Sequence, residues 1–215
     1  MVMGIVLPDL VKNAQKDGNL YPLKEPHLFT SDLAQHSILR GWERHLMVDA
    51  AFHSSIFFKE QTYDLKQLIL PLLADSPVKP FFLAHIGLEL LLDHLLVADN
   101  VINIHTFYDL LNQADHPALN EFLKNCTVSD TDVFFNFLNN FISSRYLLSY
   151  QKLENISYAL NRICMRLWNN PFTDMQLERL TLALSIFKQH IQVSYGLIFE
   201  EIELHLNSRE TGLAP

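Results

Sequence analysis

Residues 78–97, VKPFFLAHIGLELLLDHLLV, are apolar on almost every side of a helix and yet carry His85, Glu89, Asp93 and His94. A helix that is hydrophobic all round belongs in a core. At about 3.6 residues per turn, His85, Glu89 and Asp93 stack along one face with a drift of roughly 40° per step, and His94 sits at its edge. Around this segment, apolar residues at helical spacing predict a long helix from a cap region at Thr30 and Ser31 to about Phe58. They also predict a short amphipathic helix over 62–73, closed by Asp75, Ser76 and Pro77. Two shorter helices follow over 101–113 and 117–124, then two longer ones over 129–149 and 152–168. A last helix runs from the Thr173/Asp174 cap to about Leu206. At the start, a helix is expected to open at Pro8, with Asp9 near its N-terminus. Asp17, Gly18, Asn19, Pro22 and Pro26 mark an irregular connection up to about residue 30. With no strand pairs or repeats, the expected fold is all-α: one multi-helix bundle over residues 1–206 and a frayed tail over 207–215.

Composition narrows the classes. The chain has 215 residues, 49% of them hydrophobic and only 6 glycines, which supports a sizeable core and favours helices over turn-rich β structure. A net charge of −8 argues against a nucleic-acid partner, which would need clustered Lys and Arg. Cys126 and Cys164 fit neither a metal nor a disulfide spacing, which points to a reducing compartment or to simple packing roles, and both read as structural. The opening MVMGIVLPDL lacks a basic segment and a cleavage site, so a cytoplasmic location is expected. Residues 78–97 are long enough to span a bilayer, but two acids and two histidines oppose insertion, and a membrane location is not expected.

The ionisable residues form a second pattern. GWERHLMVDAAFH places His45, Asp49 and His53 at successive four-residue steps, giving another one-faced row to set against His85, Glu89, Asp93 and His94. Carboxylates on apolar helices must be paired, hydrogen-bonded or metal-bound. Facing rows of imidazoles and carboxylates are how helical bundles build metal sites. Mixed nitrogen and oxygen donors suit Mn²⁺, Fe, Mg²⁺ or Zn²⁺, the first two most directly. The alternative is a polar ladder of His–acid pairs joined by Arg40, Arg44 or Arg166. A di-iron oxidase is disfavoured, because no Glu-x-x-His pair falls on an inward helix.

These residues also carry a family resemblance. Gly41, His45 and Asp49 in GWERHLMVDAAFH match in type and spacing a stretch of the acyl carrier protein phosphodiesterases. Glu89, Asp93 and His94 in LELLLDHLLV resemble that family's Asp, three residues, Asp-His. Asp9 in LPDLVKN resembles the acid of its N-terminal segment, and LNRICMRL and YGLIFEEI resemble its closing helices. The resemblance implies an HD-phosphohydrolase-like helical fold, a divalent ion, often Mn²⁺, and release of 4′-phosphopantetheine from holo-acyl carrier protein. It implies Asp9, His45, Asp49, Asp93 and His94 as metal-site residues. Departures stand at His53, where the family has an acid, and at Glu89, where it has Asp. The family's N-terminal histidines have no counterpart, and none is assigned to His85.

The expected chemistry is metal-assisted hydrolysis of a phosphodiester, with His53 or Glu89 as general base or orienting group and Arg44 as a phosphate clamp. The alternative is a non-catalytic helical interaction protein that keeps the fold with a decayed metal site. An acyl carrier protein partner, being acidic, would need a basic patch, for which Arg40, Arg44, Arg145, Arg162 and Arg166 are the candidates. The run Phe134, Phe135, Phe137 and Phe141 reads as core, with an acyl channel or an interface as the alternatives.

Overall fold

The computed structural model describes residues 2–15 and 19–210, without the side chains of 209 and 210. The expected turn residues Asp17 and Gly18, and the last five residues of the tail, lie outside this range. The described residues form ten α-helices joined by loops and short 3₁₀ turns, with no strand. They are α1 (Val2–Ala14), α2 (Leu33–Ser54), α3 (Ile56–Ile69), α4 (Pro80–Ala98) and α5 (Ile104–Asn112), then α6 (His116–Asn125), α7 (Asp132–Ser144), α8 (Glu154–Cys164), α9 (Asp174–Ile191) and α10 (Leu197–Glu210). They gather into two compact units, Met1–Ala50 with Ile104–Tyr146, and Ala51–Asn103 with Leu147–Pro215.

In the first unit, α1 begins at Val2 and continues through Pro8, rather than opening there. Met3, Leu7, Pro8, Leu10 and Val11 are all buried, and this burial outweighs the hydrogen bond that a proline inside a helix removes. Phe122 is the aromatic centre, 4.5 Å from the Phe29 ring and 6.4 Å from Trp42. Phe134 is buried in the same core, and Phe135, Phe137 and Phe141 pack against it, as the core reading expects. Helix α7 stops at Ser144 instead of running to 149, because Arg145 turns into the left-handed region at φ 46°. Its guanidinium is held by Asp109 at 3.2 Å and lies over the Tyr108 ring, contacts that favour an otherwise uncommon backbone conformation.

The second unit is organised on α4. Leu83, Leu88, Leu91 and Leu95 are almost wholly buried, enclosed by α3, α8 and α9. By length and a mean hydropathy of 1.7 this helix could cross a membrane, but half of that window is buried within the protein. The long helix expected to reach Phe58 is broken at Ser55. The Ser55 hydroxyl accepts from the Phe58 N–H at 3.1 Å, and the Glu201 carboxylate accepts from the N–H groups of Ile56 and Phe57 at 2.9 and 3.2 Å. Three orphan donors of the first turn of α3 are thus satisfied, one partner lying 145 residues away. The start of α2 is capped by Asp32, which accepts from Gln35 N–H at 2.8 Å, rather than by Thr30 or Ser31.

Thr173 forms the expected cap of α9, as a capping box with Gln176. The single final helix is instead two, parted at residues 192–196, where Val193, Ser194 and Gly196 are weak helix formers. The second of these runs to Glu210, so residues 207–210 are helical rather than frayed.

Close approach of α1 and α2 depends on Gly4. A Cβ there would collide with the Ile38 carbonyl and lie 3.0 Å from Gly41 Cα, and neither is a side chain that could turn aside. Gly4→Ala should therefore cost about 1–3 kcal/mol in urea unfolding, the usual scale of overpacking. Gly196→Ala, whose Cβ would meet open space, should change stability little. Equal midpoints for Gly4→Ala and wild type would refute this account of the helix crossing.

Candidate metal centre

The second unit brings three of the ionisable residues together. His85 and Glu89 stand one turn apart on α4, and His53 comes from the last turn of α2. Nε2 of His85 lies 3.0 Å from Oε1 of Glu89, and Nε2 of His53 lies 3.8 Å from the same oxygen. One donor atom from each residue falls within 4.8 Å of the other two. Ligand atoms bound about 2.1 Å from an ion in a tetrahedral shell are about 3.4 Å apart, so the observed spacing needs little adjustment. The side chains are about one-third exposed, which leaves the cluster open to solvent on one side.

The walls are aromatic. The two imidazoles stack with centroids 4.9 Å apart and 23° between planes. Phe58 meets His53 and His85 edge-to-face at 4.8 and 4.9 Å, and Phe52 meets His53 at 5.1 Å. Such packing holds ring orientation. His53 also sits at the carbonyl end of α2, where the helix dipole favours positive charge.

Two imidazoles and one carboxylate are a donor set of the kind that could hold a divalent ion. As the cluster stands, the carboxylate can balance one positive charge and accept a proton bond from His85.

Other predicted ligands have different surroundings. Asp93 lies one turn beyond Glu89 on α4, outside the three-residue cluster, and burial pushes its carboxyl up to about 7. His94 is buried, with Nδ1 2.7 Å from the Tyr150 carbonyl. A carbonyl only accepts, so Nδ1 carries the proton and Nε2 is a buried acceptor with no hydrogen-bond partner.

In the first unit, His45 is oriented the same way. Its Nδ1 donates to the Ile5 carbonyl at 2.8 Å, and its Nε2 lies 3.9 Å from Oδ1 of Asp9. This arrangement is common for histidines that ligate through the second nitrogen. His45 and Asp9 thus lie near each other, while Asp49 and Arg44 are exposed on α2.

His85 belonged to the row read from sequence but was not among the expected ligands. The signal that finds it is its four-residue spacing to Glu89. The cysteines are poor nucleophile candidates, since burial pushes the thiols of Cys126 and Cys164 up to about 12 and about 11. In comparisons with known proteins, no family model, no curated protein and no solved structure matches the chain. The likeness to acyl carrier protein phosphodiesterases therefore rests on the short motifs alone.

The raised carboxyl of Asp93 makes stability depend on pH. The unfolded chain ionises this group near 3.8 and the folded protein near 7, so the folded state is progressively disfavoured as pH rises between those values, and the penalty is constant above them. Asp93→Asn should remove that decline and gain stability at pH 8 by up to a few kcal/mol, while gaining little at pH 4. Chemical unfolding of both proteins across this range is the check, and parallel profiles would contradict the assignment.

Proposed function

We propose that this chain is a divalent-metal-dependent phosphodiesterase whose ion is held by His53, His85 and Glu89. The convergence of two Nε2 atoms on one carboxylate oxygen, at 3.0 and 3.8 Å, carries the reading. The two imidazoles favour Mn²⁺, Fe or Zn²⁺ over Mg²⁺, which prefers oxygen donors. A bound ion of this kind supplies a water acidified towards neutrality and polarises a phosphoryl oxygen.

The protein contributes position and proton management. Phe52 and Phe58 keep the imidazoles in register and exclude water from one side. Asp93, one turn from Glu89 on α4, keeps its proton to about pH 7 because it is buried. The substrate suggested by the motif resemblance is the phosphodiester joining 4′-phosphopantetheine to acyl carrier protein. The proposed three-ligand set does not include Asp9, His45, Asp49, Asp93 and His94, the ligands implied by the resemblance, or Arg44, the expected phosphate clamp.

Calorimetric titration with Mn²⁺ and Zn²⁺ should show one saturable site in the wild type. His85→Ala should weaken binding at least tenfold, and so should His53→Ala, each with unchanged helix content. Hydrolysis of a simple aryl phosphodiester, and then of holo-acyl carrier protein, should require the added ion and fall with the same variants. Tight metal binding without hydrolysis of either diester would overturn the phosphodiesterase reading. Binding unaffected by either substitution would overturn the site.

A further inference from the structure

The joint between α2 and α3 is held by charge on both sides. Ser54, the residue after His53, ends α2, and its carbonyl accepts from the Lys59 ammonium at 2.6 Å. After the Ser55 cap α3 begins, and its first two N–H groups, those of Ile56 and Phe57, donate to the two oxygens of the Glu201 carboxylate at 2.9 and 3.2 Å. A positive group thus meets the carbonyl end of one helix and a negative group the amide end of the next, as each helix dipole favours. Glu201 reaches this joint from α10, which is anchored by buried Ile198, Ile202 and Leu206 and packs on α3.

The same joint carries part of the candidate metal centre. His53 stands two residues before Ser55. Phe58, the third residue of α3, meets the His53 and His85 rings edge-to-face at 4.8 and 4.9 Å, and its own N–H is the one that the Ser55 hydroxyl accepts from. A shift of the first turn of α3 therefore moves Phe58 against both imidazoles and moves the chain end that bears His53. Functional geometry of this kind tolerates only about 0.5 Å of displacement.

We propose that Glu201 is a positioning residue for the His53, His85 and Glu89 cluster, so that seating of α10 and occupation of the cluster are coupled. The carboxylate fixes the first turn of α3, that turn fixes Phe58 and the end of α2, and these fix the two imidazoles. Coupling to an ion rests on the metal reading given above, whereas the positioning of the rings does not. By linkage, an ion that prefers the ordered rings must also favour the seated carboxylate.

Proton nuclear magnetic resonance of the metal-free full chain tests the positioning. Ring-proton shifts of His53 and His85 depend on the adjacent Phe58 ring, and Glu201→Ala should move both, while those of His94, buried further along α4, keep their wild-type values. Glu200→Ala removes the same charge from the neighbouring exposed position and should move none of the three. Glu201→Gln keeps one acceptor oxygen and should fall between, which gives a reading even where the alanine variant unfolds. Titration with Mn²⁺ tests the coupling. Glu201→Ala should bind about tenfold more weakly than the wild type, Glu201→Gln severalfold more weakly, and Glu200→Ala equally. Unmoved His53 and His85 ring protons in both Glu201 variants would overturn the positioning, and wild-type Mn²⁺ affinity in both would overturn the coupling. A wild type that binds no ion would overturn the metal reading and the coupling with it, and the ring-proton shifts would still decide the positioning.

Discussion

The second unit depends on the burial of α4. A nineteen-residue helix with leucines on nearly every side can be stable in water only if other helices enclose it, and α3, α8 and α9 do so. Every ionisable group on that helix then has to find a local solution. His85 and Glu89 find each other and His53 at the partly exposed edge. His94 donates a hydrogen bond from Nδ1–H to the Tyr150 carbonyl, and Asp93 keeps its own proton to about pH 7. Chemistry in this region is thus a consequence of packing: the helix concentrates apolar surface, its histidines and Glu89 find hydrogen-bond or ion-pair partners, and burial holds the Asp93 carboxyl well above the usual carboxylate range.

The same constraint explains why the site sits on rigid elements. His85 and Glu89 are fixed by helical spacing, while His53 is fixed by the abrupt end of α2 at Ser54. That end is held by the Ser55 cap and by Glu201 at the first turn of α3. The distances among the three donor atoms are therefore set by backbone geometry and aromatic packing more than by flexible loops.

Much of this was legible in the sequence, and the failures have physical causes. The apolar run of α4 and the Thr173 cap are local patterns, and they predicted the all-helical fold; of the two His–acid rows set against each other, His53, His85 and Glu89 are the members that meet. The break at Ser55 was not legible, because two of the three first-turn donors are satisfied by a glutamate that lies 145 residues from Ile56. The start of α1 was misplaced because Pro8 reads as a helix opening, whereas burial of Met3 and Leu7 carries the helix through it. Arg145 ends α7 through contacts with Asp109 and Tyr108 that no periodicity reveals. Gly41, read as part of a family motif, proves to lie against Gly4 at a helix crossing, so that match has a packing explanation as well.

The proposed metal centre requires that two imidazoles from different helices share one ion. Pulsed electron paramagnetic resonance of the Mn²⁺-loaded protein measures this directly, through the nitrogen couplings of the bound imidazoles. Two coupled histidine nitrogens in the wild type, reduced to one in His53→Ala and in His85→Ala, are the predicted result. A spectrum with no imidazole coupling, or one unchanged by both substitutions, would contradict the metal centre described here.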